Sequence, residues 1–161
     1  MEELLKKISE YDILNKIVPG VIFVTTLNIA YGIKIEINNF LESLLVFYAC
    51  GEILSRIGAI ILEDIFKKFI KFADYTDYVE ASKVDKKIDL FNKINNMYRT
   101  LISLFSTLFF INIVIIFLKC NHIYYVLFFI FLLLTLLFIK SYIRQTKFIV
   151  KRVNIALNKD G

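Results

Sequence analysis

Two ionisable side chains stand where charge is costly. In GEILSRIG, Gly51 to Gly58, Glu52 precedes Arg56 by four residues inside a run that otherwise reads as a membrane-spanning helix. That order and spacing suit an ion pair on one helical face. An intramembrane carboxylate is also a candidate proton or cation site, so the pair reads either as a packing clamp or as a titratable element of a pathway. Arg56 lies six residues from Leu62 and can snorkel toward the near interface. Glu52 cannot, being ten and twelve residues from the ends of the run. Loss of Arg56 is therefore predicted to be worse for Glu52 than the reverse. Gly51, Ser55 and Gly58 form a stripe of small residues beside the pair, suited to close approach of another helix, with Asn28 in the first span and Ser103, Ser106, Thr107 and Asn112 in the third as candidate partners.

Other chemistry is sparse. The single histidine, His122, shares its loop with Cys120 and no carboxylate, too few donors for a metal site. Cys50 and Cys120 fall at different depths and are not expected to pair. No nucleophile–base pair and no glycine-rich phosphate loop is present, so no catalytic residue and no cofactor is assigned. A second polar cluster, NNMYRT, places Asn95, Asn96, Tyr98 and Arg99 where a helix would meet the membrane surface.

These residues must be positioned by elements that live in lipid. The 161-residue chain is 58% hydrophobic and 16% aromatic, with a mean hydropathy of +0.64, more apolar surface than a soluble domain of this size can hide. With one proline and five glycines, long helices are favoured over a barrel. The expected fold is all-α: a single integral membrane domain over residues 1–161 with four transmembrane helices plus cytoplasmic amphipathic helices. The spans are predicted at about 17–33, 40–62, 101–118 and 123–139, near the roughly 20 residues a bilayer core requires. Pro19 is expected to open the first.

Lysines and arginines in the flanking segments set the orientation. Seventeen lie in the N-terminal, middle and C-terminal segments, against Lys34 and Lys119 in the two short loops. Both termini and the segment about 63–100 are therefore expected to be cytoplasmic, in a bacterial inner membrane. No cleavable signal peptide is visible. In EDIFKKFIKFAD, Ile65, Phe66, Phe69, Ile70 and Ala73 share a face, which predicts a basic amphipathic helix in the headgroup layer. Asp77 and Glu80 have capping-box spacing for a new helix, running into the third span. Residues 140–161 read as a basic amphipathic tail. The net charge of +5 is met by anionic lipid headgroups, and nucleic acid is not required as a partner.

The fourth span has 14 Leu, Ile, Phe or Val residues, about 6 kcal/mol in favour of insertion, so it inserts alone. The second gains about 5 kcal/mol but carries two inner charges at roughly 2.5 to 3.5 each. Span two needs partners.

The phrase Y-x-x-G-x-x-x-S-R-I-G from Tyr48 to Gly58, with Asp74–Tyr75, Val79 to Ala81, Asp85 to Ile88 and NNMYRT, resembles a group of small four-span bacterial membrane proteins without an assigned activity. The likeness covers roughly residues 13 to 105. It implies an association with antiphage defence genes, where multi-span partners act as membrane sensors or membrane-damaging effectors. It marks Ser55, Arg56 and Asn95 to Arg99. The expected function is thus a non-enzymatic homo-oligomeric membrane protein with room for a cytoplasmic partner protein. The alternative is a small ion or proton carrier with Glu52 as its site.

Overall fold

Residues 9–35, 39–119 and 121–158 are described in a computed structural model of the chain. The first eight residues of the expected N-terminal helix, Cys120 and Lys159 lie outside them. The protein is all-helical, with no strand among the described residues. Helix α1 covers Glu10–Tyr31, α2 Phe40–Lys67, α4 Lys87–Leu118 and α5 His122–Ala156, with the shorter α3 at Tyr75–Val84 between them. The four long helices are each long and apolar enough to cross a membrane.

Local chemistry sets the ends. Ser9, Asn39 and Asn121 cap α1, α2 and α5 by accepting from Asp12, Glu42 and Ile123 backbone N–H groups. Gly32 ends α1 in the left-handed region, at φ 69°, its N–H bonding back to Asn28. Pro19 stands in the first turn of the regular α-helical stretch Val18–Tyr31, as expected, but α1 does not begin there. The helix continues back to Glu10 through a wider π-type turn at Ile13–Ile17, a turn suited to the proline ring and to the hydrogen bond that proline cannot donate. A second such turn lies at Gly58–Leu62 in α2.

Helices α4 and α5 form an antiparallel hairpin. At 1.5 Å per residue they run about 48 and 52 Å, well beyond a hydrocarbon core of about 30 Å. Three apolar clusters follow one another along this hairpin. Leu54, Leu104, Leu108 and Phe131 centre the first, between the apolar spans. Phe66, Ile70, Ile102 and Tyr142 form the second, and Ala81, Ile88, Ile149 and Val153 the third. The tail of α5 therefore spends its apolar face on protein contacts. The span-like window of α5 is 11% buried against 33% for that of α4, so α5 is the more peripheral helix.

Two segment expectations need correction. The 63–73 stretch does not form one amphipathic helix on the headgroup layer. Helix α2 stops at Lys67, and Phe66 and Ile70 turn inward, with the Phe66 ring packed at a tilt 4.8 Å from that of Tyr142. Phe69 and Ile65 of that face stay out, 80% and 44% exposed. Interior partners were at hand, so lipid was not required. Helix α3 begins at Tyr75, not at Asp77, and Asp85–Lys86 separate it from α4.

Helix α3 is tied to α5 by an ion pair between Asp85 and Arg152. The Arg152 guanidinium hydrogen bond holds the Asp85 carboxyl below its ordinary 3.8. A lowered carboxyl contributes stability above the unfolded value, lost as pH falls through the folded one. The protection of α3 amides, taken relative to the intrinsic exchange rate at each pH, should thus be constant from neutral pH down to about 4 and fall below. Arg152→Gln should remove that acid step; an unchanged step would show that the pair does not hold α3.

Candidate functional site

The small-residue stripe is where α2 meets its neighbours. A Cβ at Gly51 would lie 1.8 Å from the Lys16 carbonyl oxygen, and one at Gly20 1.8 Å from that of Phe47. The two glycines thus interlock α1 and α2 backbone against backbone. Farther along, a Cβ at Gly58 would come within 3.1 Å of the Arg99 carbonyl oxygen on α4. All of this happens within one chain. Asn28 takes no part in this interlock: it is exposed in the last turn of α1, before Gly32, and is withdrawn as a packing partner within the chain.

That register brings four polar side chains from three helices together. Thr100 donates to Asn15 Oδ1 at 2.8 Å, and Asn15 Nδ2 donates to Ser55 Oγ at 3.4 Å and Tyr11 Oη at 3.2 Å. Asn15 is 2% exposed and Thr100 fully buried. Buried amides and hydroxyls persist only when so paired, and orphaning one costs about 1–3 kcal/mol. Thr100 immediately precedes the uncharged run Leu101–Leu118, so this layer marks the basic-end boundary of the apolar section.

The charged pair sits beside it. Glu52 lies three residues from Ser55, about 4.5 Å deeper along α2. Arg56 Nε donates to Glu52 Oε1 at 2.8 Å, yet the Arg56 side chain is 74% exposed. The partner that the sequence did not show is Lys16, whose Nζ stands 3.1 Å from Glu52 Oε2 and 3.0 Å from Asp12 Oδ1. It also donates to the Tyr48 hydroxyl at 2.9 Å. The Lys16–Glu52 approach is an ion contact without hydrogen-bond geometry, since Oε2 has no hydrogen-bond partner among the described residues. Glu52 is therefore not stranded near the midplane. It lies one helical turn from the boundary layer, clamped between two cations from α1 and α2.

The NNMYRT residues face a second polar region, on the basic side of the layer. Asn95 Nδ2 donates to Thr146 Oγ1 of α5 at 3.1 Å, and both are buried. Arg99 Nη1 pairs with Glu63 Oε2 at the end of α2, while Lys67 Nζ reaches Glu63 Oε1 at 3.0 Å. The Arg99 Nε proton is buried without an acceptor among the described residues. Asn95, Asn96 and Arg99 line a cleft of about 540 Å³ between α2, α3, α4 and α5. Tyr98 points elsewhere, against the Phe138 ring at 6.2 Å. On the far side of the apolar section, Asn112 is fully buried and donates to the Tyr124 carbonyl at 2.7 Å.

Fold and site define a multi-pass four-helix membrane protein. No protein-family model, curated protein or solved structure matches this chain.

Sequence reasoning missed Asn15, Lys16, Gly20, Glu63 and Thr146. Gly20 carries no small residue at a spacing of three or four, so the stripe that marks α2 has no counterpart around it. The others are joined only by tertiary register.

Proposed function

We propose that this chain is a non-enzymatic protein of the bacterial cytoplasmic membrane, with both termini inside, that acts as a membrane-perturbing effector or sensor. The observation that carries this is a mismatch of apolar heights. Between Glu42 and Glu52, α2 has nine uncharged residues, about 14 Å, whereas Leu101–Leu118 in α4 gives 18, about 27 Å. A bilayer met by both must thin or deform beside α2, at fractions of a kcal/mol per ångström. The ordered polar layer keeps that short section in register. The resemblance to defence-associated membrane proteins supplies a setting in which a deformed bilayer is useful, and anionic headgroups supply the counter-charge for the basic end. A homo-oligomer and a cytoplasmic partner remain part of the proposal. The small-residue stripe no longer argues for self-association, because it is used within one chain.

Cells carrying the protein, challenged with phage in the presence of a potential-sensitive dye, should depolarise and restrict phage growth. No depolarisation and no protection across a broad phage panel would overturn the effector reading. The mismatch has its own test: thermal stability should be higher in 14-carbon than in 20-carbon phosphatidylcholine vesicles, and equal stability would remove its basis. Orientation follows the 17-to-two asymmetry. Single cysteines at Lys34 and Lys119 should label from outside intact cells, and one at Lys83 should not. External labelling at Lys83 would invert the arrangement.

The carrier alternative loses its main support. A site for a travelling proton needs alternating access, but Glu52 is held by Lys16 and Arg56 at one edge of the membrane.

A further inference from the structure

The outward face of α5 carries charge that no carboxylate answers. Helix α5 has five lysines and arginines after Ile139, and no aspartate or glutamate along its whole length. Arg152 is spent on Asp85. Lys140, Arg144, Lys147 and Lys151 are all exposed and make no ion pair among the described residues. Spacings of four, three and four put them on one helical face. The opposite face, with Tyr142, Thr146, Ile149 and Val153, is buried against the rest of the protein. Two open grooves, of about 470 and 590 Å³, run along the basic face and share Ile143 and Lys147. Neither is lined by a carboxylate. Arg144 also stands 5.5 Å from the Phe148 ring centroid, a cation–π contact that consumes none of its hydrogen-bond donors.

Depth decides what meets this face. Asn95 of α4 is bonded to Thr146 of the antiparallel α5, so Thr100, where the apolar section begins, is level with about residue 141. Lys140 therefore stands at the apolar boundary, Arg144 about 4 Å beyond it and Lys147 about 9 Å beyond. A headgroup region adds about 5–7 Å per leaflet, within reach of all three side chains. Lys151, about 15 Å out, lies past it. Across the second groove Phe69 is 80% exposed in the turn after α2, between the exposed Lys68 and Lys71. Water is a poor solvent for that ring, whereas the headgroup–acyl boundary suits an aromatic flanked by cations.

We propose that this face of α5, from Lys140 to Lys147, binds anionic phospholipid headgroups of the leaflet at the basic end, with Phe69 inserted beside them. An acidic protein segment would answer the charge but not the depth, because Lys140 stands where the acyl region begins. The site deepens the proposed function and rests on its membrane reading, not on effector or sensor activity.

The chain has no tryptophan, so Phe69→Trp places a single reporter at the groove. The full chain carrying it is reconstituted in dioleoyl phosphatidylcholine vesicles, and its emission is quenched with rising fractions of brominated phosphatidylcholine or brominated phosphatidylglycerol. Phosphatidylglycerol should associate at least about fivefold more strongly, the worth of one cation beside an anionic surface. Lys140→Gln, Arg144→Gln and Lys147→Gln together should bring the preference to about twofold or less. Removing three exposed charges elsewhere, by Lys83→Gln, Lys86→Gln and Lys87→Gln, should leave it unchanged. Should the α5 triple variant fail to fold, Arg144→Gln alone should lower the preference at least about twofold. Equal quenching by the two lipids, or a preference that survives loss of the α5 charges, would overturn the proposal. So would a preference lost equally with the distant charges, or a tryptophan reached by neither lipid, which would assign this face to an aqueous partner. No phage or trigger is involved, so the two readings fail separately: lipid preference without depolarisation sinks only the effector, and depolarisation without lipid preference sinks only the site.

Discussion

Gly51→Leu should leave almost no correctly folded protein in the membrane, and Gly20→Leu should be equally severe. At each position the first added carbon would stand 1.8 Å from a backbone carbonyl oxygen of the facing helix. A flexible side chain could swing aside, but a helix backbone must move as a body. Overpacking typically costs about 1–3 kcal/mol, and separating α1 from α2 should exceed that range. Separation would also break the contacts of Lys16 with Glu52 and of Asn15 with Ser55, which depend on the same approach. Gly51→Ala should already be strongly destabilising, whereas Gly58→Ala, 3.1 Å from the nearest atom, should be milder. Leu133→Ala on the exposed side of α5, where Leu133 is 67% exposed, should shift stability by only about 0.5 kcal/mol. Monodisperse recovery in detergent and the unfolding midpoint measure all five. Full tolerance of Gly51→Leu would mean that α1 and α2 do not pack in this register.

The second large effect reverses an expectation drawn from the sequence. Arg56→Gln was predicted to strand Glu52; it should instead be nearly silent, within about 1 kcal/mol, because Arg56 is 74% exposed and Lys16 remains. Lys16→Met is the damaging change. The Lys16 side chain, 18% exposed, serves Asp12, Glu52 and the Tyr48 hydroxyl at once. Its loss leaves two carboxylates at a membrane boundary, placing the cost between that of an exposed and a buried pair, roughly 2 to 3 kcal/mol. Combining Lys16→Met with Glu52→Leu should recover part of the loss, since the Glu52 oxygen that faced Lys16, the one Arg56 does not hold, is then gone. If Arg56→Gln proves worse than Lys16→Met, the proximity of Lys16 to Glu52 is not what stabilises this layer.

What was legible in the sequence was what periodicity and composition encode. The three plain apolar runs, the compromised second one and the closeness of Glu52 to Arg56 are properties of single helices. Proline was legible only in part: Pro19 does fall in the first turn of the α-helical stretch from Val18, yet the π-type turn before it lets α1 carry Asn15 and Lys16 into the polar layer. Partnerships across helices were not legible. Lys16 lies 36 residues from Glu52, Glu63 lies 36 from Arg99, and Asn95 lies 51 from Thr146. Only the register set by Gly20 and Gly51 brings the first pair together. Asn28 was misassigned because a polar residue in an apolar run looks the same on either face until that register is known. Phe66 and Ile70 misled for a related reason, since an apolar face serves headgroups or a protein core equally well.

Flux across proteoliposomes decides most directly whether the Glu52 layer is a clamp or a conduit. The protein would be reconstituted in phosphatidylglycerol-containing vesicles with an internal pH dye, and a potassium diffusion potential imposed without any trigger. The account predicts that wild type and Glu52→Gln both hold the proton gradient as well as empty vesicles do. Voltage-driven proton entry in wild type that Glu52→Gln abolishes would contradict it.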